Sequence, residues 1–152
     1  MPEVTRSQAR VWPEPTGIPS EDSIVASECR AEAGVEFLIR QGKAIREGAP
    51  WLAPHGNIVA IDVDRLLDAA GAWSGGERRV ATIAASLIGG PAVDLSEVIP
   101  GLDRGNATLV LAAIAHANGS HEHSVCFNDE SVPVGFFQEA TLYPWPLERR
   151  HT

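Results

Sequence analysis

The chain has few of the residues that mark secreted, membrane or disulfide-rich proteins. Its two cysteines, Cys29 and Cys126, are too few for a disulfide framework and are typical of a reducing compartment. No apolar run approaches the roughly 20 residues that a transmembrane helix needs. The segment Met1–Arg6 lacks the apolar stretch of a signal peptide. We therefore expect a cytoplasmic protein with no membrane association.

Basic residues are also scarce. Lysine and arginine together number 12 against 20 acidic residues, which gives a formal net charge of −8. Binding to a nucleic-acid backbone normally needs a basic surface, so this charge argues against a nucleic-acid partner. Hydrophobic residues make up 44% and charged residues 21% of 152 residues. These values are typical of one folded domain with a real core.

A phosphate-binding loop is missing as well. Such a loop needs the pattern G-x-x-x-x-G-K-[ST], whereas the single lysine, Lys43, has Phe37 at the first glycine position and Ala44 at the Ser/Thr position. The segment Trp73–Arg79 resembles the signature sequence of ABC-type ATPases, in which a serine and glycines at a helix N-terminus contact a phosphate. Because the other motifs of that family are absent from the sequence, we predict no nucleotide hydrolysis.

A structural interpretation explains the same segment better. Ser74 and Glu77 have the S-x-x-E spacing of a capping box, in which the serine hydroxyl and the glutamate carboxylate each accept from the other residue's backbone amide. We therefore predict that a helix begins at Ser74. Asp62 is a predicted N-cap in the same way, and Asn118–Gly119 a predicted C-cap.

Apolar residues recur at helical spacing through the middle of the chain, which predicts a mainly α protein. We expect a compact bundle of short helices with an irregular N-terminal arm and an irregular C-terminal tail. The predicted divisions are an extended or disordered arm (1–19), a helical domain (20–119) and a partly packed tail (120–152). Residues Ile58–Ile61 could form a short strand or lead into the next helix. The segment Asp103–His116 is apolar nearly all round, so we expect it to be the central helix.

Histidines and a cysteine lie close together after this last predicted helix. Imidazole and thiolate are the usual ligands of zinc. The spacing matches no standard zinc module, however, and the alternative is a histidine at a helix C-terminus followed by solvent-exposed loop residues. We expect no cofactor, with zinc as the alternative. The candidate zinc ligands are His116, His121, His123 and Cys126, with Cys29 or His55 as substitutes.

A DNA-binding helix-turn-helix is a second alternative. It would consist of the segments Asp62–Ala70 and Glu77–Ile88, with Arg78 and Arg79 at the start of the second helix. This second helix has few polar side chains that could contact bases. Two arginines in a solvent-exposed first turn are the competing interpretation.

The favoured interpretation is a non-enzymatic protein-interaction or accessory module. The sequence has no local signature of a nucleophile and its base. Its arm and tail, which lack helical periodicity, hold aromatic residues that either pack against the helical body or contact a protein partner of unknown identity. These candidate partner-binding residues are Trp12, Phe136, Phe137, Tyr143 and Trp145.

One stretch, from Ala72 to His123, also carries a family resemblance. Its pattern includes Ser74–Arg78, Ala84–Leu87 and Ala113–Ala117. This pattern is similar to that of a family of small uncharacterised proteins from actinobacteria and their phages. The resemblance implies a shared helical body and transfers no catalytic residue.

Overall fold

The structure, a computed structural model, describes residues 21–55, 58–119, 124–137 and 139–147. The predicted arm, residues 1–19, lies outside these ranges. Within them the mainly α fold is confirmed, and none of the helices is long and apolar enough to cross a membrane. The elements in chain order are α1 (Glu21–Gln41), β1 (Leu52–His55), β2 (Ile58–Ile61), α2 (Val63–Ala70), α3 (Gly75–Leu87), α4 (Leu95–Val98) followed by a 3₁₀ turn (Ile99–Gly101), α5 (Arg104–Asn118), β3 (Ser124–Phe127) and β4 (Pro133–Phe137).

The central element of the core is α1. Its residues Ala33–Leu38 are all buried, which requires neighbours on every side of the helix. The largest contact surfaces of α1 are with α5 and α3. Glu32 lies beside His116 in the last turn of α5, and Gly119, just after that turn, lies against Cys29, which precedes Glu32 in α1. The helices α1 and α5 therefore run antiparallel.

The prediction that the segment Asp103–His116 would be the central helix is wrong. In α5, Leu111 and Ile114 are 50% and 49% exposed. Helix α1 contains more charged residues than α5, among them Glu36, yet Glu36 is only 3% exposed. Its carboxylate accepts a hydrogen bond at 2.6 Å from Arg40 on the next turn. A charge that is paired on its own helix can occupy the centre of a fold. The apolar content of a helix therefore does not show which of the two helices is more buried.

Helices α1 and α3 approach each other closely at Gly34. A Cβ atom on Gly34 would lie 2.5 Å from Cγ1 of Ile88 and 2.9 Å from the carbonyl oxygen of Ala84. This glycine, which weakens the helical propensity of α1, is therefore explained by packing. The core around this contact includes Phe37, Leu38, Leu66, Val80, Ile83 and Val110.

The predicted caps are confirmed. Asp62, the predicted N-cap of α2, accepts a backbone hydrogen bond, and the structure shows Asp103 in the same role at the start of α5. The Ser74 hydroxyl accepts from the Glu77 amide at 3.4 Å, and the Glu77 carboxylate accepts from the Ser74 amide at 3.2 Å. Gly119 ends α5 in the left-handed conformation with φ 69°. These boundaries depend on residues within one helical turn, so the sequence alone predicts them well.

Two short antiparallel hairpins complete the described fold. Residues Ile58–Ile61 form strand β2, which pairs with β1 between α1 and α2. Strands β3 and β4 also pair, so this part of the tail is regular and differs from the irregular tail predicted for residues 120–152. The sequence does not predict β4, because this strand contains Pro133 and Gly135 and such residues usually interrupt strands. The turn depends on Asn128, whose side-chain oxygen accepts from the amides of Glu130 and Val132 at 3.0 and 2.9 Å.

Replacing Ser74 by alanine should reduce the free energy of unfolding by about 1 kcal/mol, because the Glu77 amide loses its acceptor. Chemical denaturation followed by circular dichroism measures this change. Thr82→Ala is the control in the same helix, since the Thr82 hydroxyl bonds only to the Arg78 carbonyl one turn back. We expect it to be neutral or slightly stabilising. Equal losses in both variants would contradict a specific role for the cap.

Gly34→Ala should destabilise the protein by about 1–3 kcal/mol through overpacking, although alanine is the better helix former by about 1 kcal/mol. Gly76→Ala in α3 is the matched control, because a Cβ atom there would meet its nearest neighbour, the Asn106 side chain, at an ordinary 3.4 Å. The control should be neutral or stabilising in the same denaturation assay. A Gly34→Ala protein as stable as the wild type would disprove the close approach of α1 and α3.

Candidate functional site

The tail returns to the helical body at Trp145. The half-buried indole lies against the imidazole of His116 on α5, with ring centroids 6.0 Å apart and planes inclined by 47°. The indole N–H donates to Nδ1 of His116 at 3.4 Å. Hydrogen bonds of that length are weak. Packing of the two rings therefore contributes most of the contact on this side.

Arg40 of α1 holds the tail from the other side. Its guanidinium carbon lies 5.2 Å from the centroid of the Trp145 ring, within the range of a cation–π interaction. Its Nη1 donates to the carbonyl oxygen of Pro146 at 3.0 Å, while its Nε donates to the buried Glu36 carboxylate. The Glu36 carboxylate thus orients the Arg40 guanidinium, which contacts the tail at the Trp145 ring and at the Pro146 carbonyl. We call Arg40, His116, Trp145 and Pro146 the tail contact.

The imidazole of His116 has a partner at each ring nitrogen. The Trp145 indole N–H donates to Nδ1 at 3.4 Å. Nε2 lies 3.4 Å from a carboxylate oxygen of Glu32. Both ring nitrogens of His116 are therefore used to join α1, α5 and the tail.

The same tail segment leaves apolar side chains in solvent. Leu142, Tyr143 and Leu147 are 73%, 37% and 94% exposed. Pro144 and Pro146 flank Trp145; each has a fixed φ and no backbone donor, so this stretch favours an extended conformation. We call Leu142, Tyr143 and Leu147 the tail surface.

The predicted partner-binding aromatics have different positions. Trp145 is held by the body, and Tyr143 belongs to the tail surface. Phe136 and Phe137 form part of the backbone of β4, but their side chains, like the whole of Trp12, lie outside the described part of the chain. Sequence reasoning missed Leu142 and Leu147, because isolated leucines in an irregular segment produce no periodic signal.

The candidate zinc ligands are only partly described. His116 is near Glu32 and Trp145, while His121, His123 and the side chain of Cys126 lie outside the described residues. Among the residues that are described, no group of three or more His, Cys, Asp or Glu side chains could hold a metal ion. The zinc site stays a prediction.

The start of α3 has a structural role in the described fold. A Cβ atom on Gly101 would overlap the Arg79 guanidinium, so Arg79 packs directly on the 3₁₀ turn. Arg78 is exposed, but five residues of α3 are buried in the core, among them Val80 and Ala84. A recognition helix needs an exposed polar face. The helix-turn-helix stays a prediction that this burial does not favour.

A shallow cleft of about 400 Å³ lies between the β1–β2 hairpin, the start of α2 and the turn after α3. Its ionisable lining residues are Asp62 and Asp64. The Asp62 carboxylate already accepts from the backbone amide of Arg65 at 3.1 Å. One of the two carboxylates in the cleft therefore serves as the N-cap of α2.

Asp94, the N-cap of α4, has a shifted pKa of structural origin. The hydroxyl of Ser96 donates to this carboxylate at 2.6 Å and the Ser96 amide at 2.8 Å. These two hydrogen bonds stabilise the ionised form and hold the pKa of Asp94 below its usual value. Such a group acts as a helix cap and not as a proton donor at neutral pH.

No protein-family model, curated protein or solved structure matches this chain. The resemblance of residues Ala72–His123 to small actinobacterial and phage proteins stays a prediction. The tail contact with its tail surface is the most developed arrangement among the described residues.

Trp145→Ala should release the tail from the body, because both the cation–π interaction and the ring contact disappear. We expect the NMR order parameters of residues 139–147 to fall below about 0.6, the range of a flexible backbone, while those of α3 are unchanged. NMR relaxation of the backbone amides measures both regions. Tyr143→Ala, at an exposed position in the same segment, is the control and should leave the order parameters as they are. Unchanged order parameters in Trp145→Ala would show that other contacts hold the tail.

Proposed function

We propose that this protein is a non-enzymatic interaction module whose tail surface inserts into an apolar groove of a partner protein. The observation that carries the proposal is the exposure of Leu142, Tyr143 and Leu147 on a segment that is fixed to the body beside them through Trp145. Exposed apolar residues on an anchored segment are unfavourable in water and are typical of a binding surface.

Anchoring favours binding because it reduces the entropy that the tail must lose. A free peptide is ordered only when it binds, and that ordering weakens its affinity. Here Arg40 and His116 already hold Trp145, and the adjacent prolines restrict the backbone. Extended proline-containing segments of this kind are recognised by grooves lined with aromatic side chains. We infer that the partner offers such a groove.

The charge of the protein suggests what surrounds this groove. The formal net charge is −8, and Glu139 is exposed in the described tail. An acidic protein associates faster with a partner whose interface rim is basic, through long-range steering. We expect the interaction to occur in the cytoplasm, because two cysteines without a disulfide framework are typical of a reducing compartment.

A triple variant of the tail surface tests the proposal. Leu142→Ser/Tyr143→Ser/Leu147→Ser should keep the circular dichroism and melting temperature of the wild type, since all three side chains are exposed. It should lose the partner, because the inserted apolar area is removed. The measurement is quantitative mass spectrometry of proteins retained from the native host, followed by calorimetry with each protein that only the wild type retains. We expect the triple change to weaken its affinity at least about 30-fold.

The matched control is Leu95→Ser/Ile99→Ser, which removes two exposed apolar side chains from α4 and the 3₁₀ turn. It should bind the partner like the wild type. A synthetic peptide of residues 139–147 should bind the same partner more weakly than the whole protein, because it is not anchored. If every retained protein binds the triple variant and the wild type equally, the tail surface is not the binding site.

A further inference from the structure

Helix α5 carries an exposed stripe that is separate from the tail surface. Leu111 and Ile114 are 50% and 49% exposed, Arg104 and Asn118 are exposed, and Ala107 is half-buried. The five residues follow one another at alternating intervals of three and four. This is the a/d spacing of helices that pair along a seam. We call these residues the α5 stripe.

We infer that the α5 stripe is the interface through which two copies of this chain form a symmetric antiparallel pair. The inference does not rest on the proposed function of the tail. Leu111 lies midway between Arg104 and Asn118, so the two-fold axis of such a pair would pass beside Leu111. In a two-fold interface each residue contacts a residue that contacts it in return. The stripe satisfies this condition in both size and charge.

Size complementarity follows from the positions on either side of Leu111. With the axis at Leu111, Ile114 of one copy lies opposite Ala107 and Thr108 of the other. Large side chains then face smaller ones on both sides of the axis, and the two stripes interdigitate without a clash. The apolar centre is bounded at each end by a polar residue of the stripe, as in the core and rim of protein interfaces.

Charge complementarity selects the antiparallel orientation. The helix α5 has Arg104 at its first position and no acidic side chain within Arg104–Asn118. An antiparallel pair places each Arg104 beside Asn118 and the last carbonyl groups of the other helix, where a cation is stabilised by the helix dipole. A parallel pair would place Arg104 against Arg104. The second copy therefore fits the stripe in one direction only.

Sedimentation velocity of the full chain tests the inference first. The wild type should be a dimer at micromolar concentration, and Leu111→Ser/Ile114→Ser should raise the dissociation constant at least about 30-fold. Leu95→Ser/Ile99→Ser, which removes comparable exposed side chains elsewhere, should remain dimeric. A monomeric wild type overturns the inference, and so does a dimer that the α5 substitutions leave intact.

Disulfide trapping tests the register. In a Cys126→Ser background, in which the remaining Cys29 is buried, Leu111→Cys should form a cross-linked dimer under mild oxidation. Ile114→Cys should not, because the two copies of residue 114 would be offset along the axis by about 9 Å, beyond the roughly 7 Å between Cα atoms that a disulfide spans. Cross-linking through residue 114 alone overturns the proposed register. The wild type could instead be a monomer in which the α5 stripe is protected from solvent, with that protection lost when residues 1–20 are removed. This result would show that the chain's own arm covers the stripe, and it would overturn the dimer.

Discussion

The ion pair between Glu36 and Arg40 connects the core to the surface of this protein. Glu36 is 3% exposed in the middle of the most buried stretch of α1, and its carboxylate fixes the guanidinium of Arg40 at 2.6 Å. Replacing such a buried pair by apolar residues is often neutral, whereas removing one member leaves an uncompensated charge and is strongly destabilising. The pair therefore contributes more to the position of Arg40 than to net stability. That position allows one side chain to contact the Trp145 ring and the Pro146 carbonyl together.

How far the sequence predicts this fold depends on the range of the interaction involved. The capping box at Ser74 and the left-handed Gly119 involve residues within one helical turn, and both are predicted correctly. Burial depends on distant partners. Gly34 in α1 weakens the sequence pattern, yet it marks a close approach to Ala84 and Ile88, 50 residues and more along the chain. The apolar composition of α5 indicates a central helix, but its Leu111 is half exposed because composition does not show how many neighbours surround a helix.

In the candidate site, too, the sequence predicts local features but not contacts between distant residues. The aromatic residues Tyr143 and Trp145 stand out in an irregular segment, so the sequence predicts that the tail either packs on the body or meets a partner. The hydrogen bond from Arg40 to Pro146 joins residues 106 positions apart, and no local pattern predicts such a pairing. Only the structure shows that Trp145 is held by the body while Leu142 and Leu147 are left in solvent. Whether a tail residue anchors the tail or is free to bind a partner depends on its tertiary contacts, which the sequence does not show.

The two proposed surfaces are compatible because the tail is held at one face of α5, through His116, and the α5 stripe lies on another. Successive residues of an α-helix are rotated by about 100°, which places His116 about 140° from Leu111 and about 160° from Ile114 around α5. His116 faces α1 and the tail, whereas the stripe is on the outward side. A dimer through the α5 stripe would therefore leave both tail surfaces accessible. Two anchored tails on one particle would bind a repetitive or dimeric partner with avidity, which raises the effective affinity without any additional contact. The proposed dimer would thus strengthen the proposed interaction, although neither depends on the other.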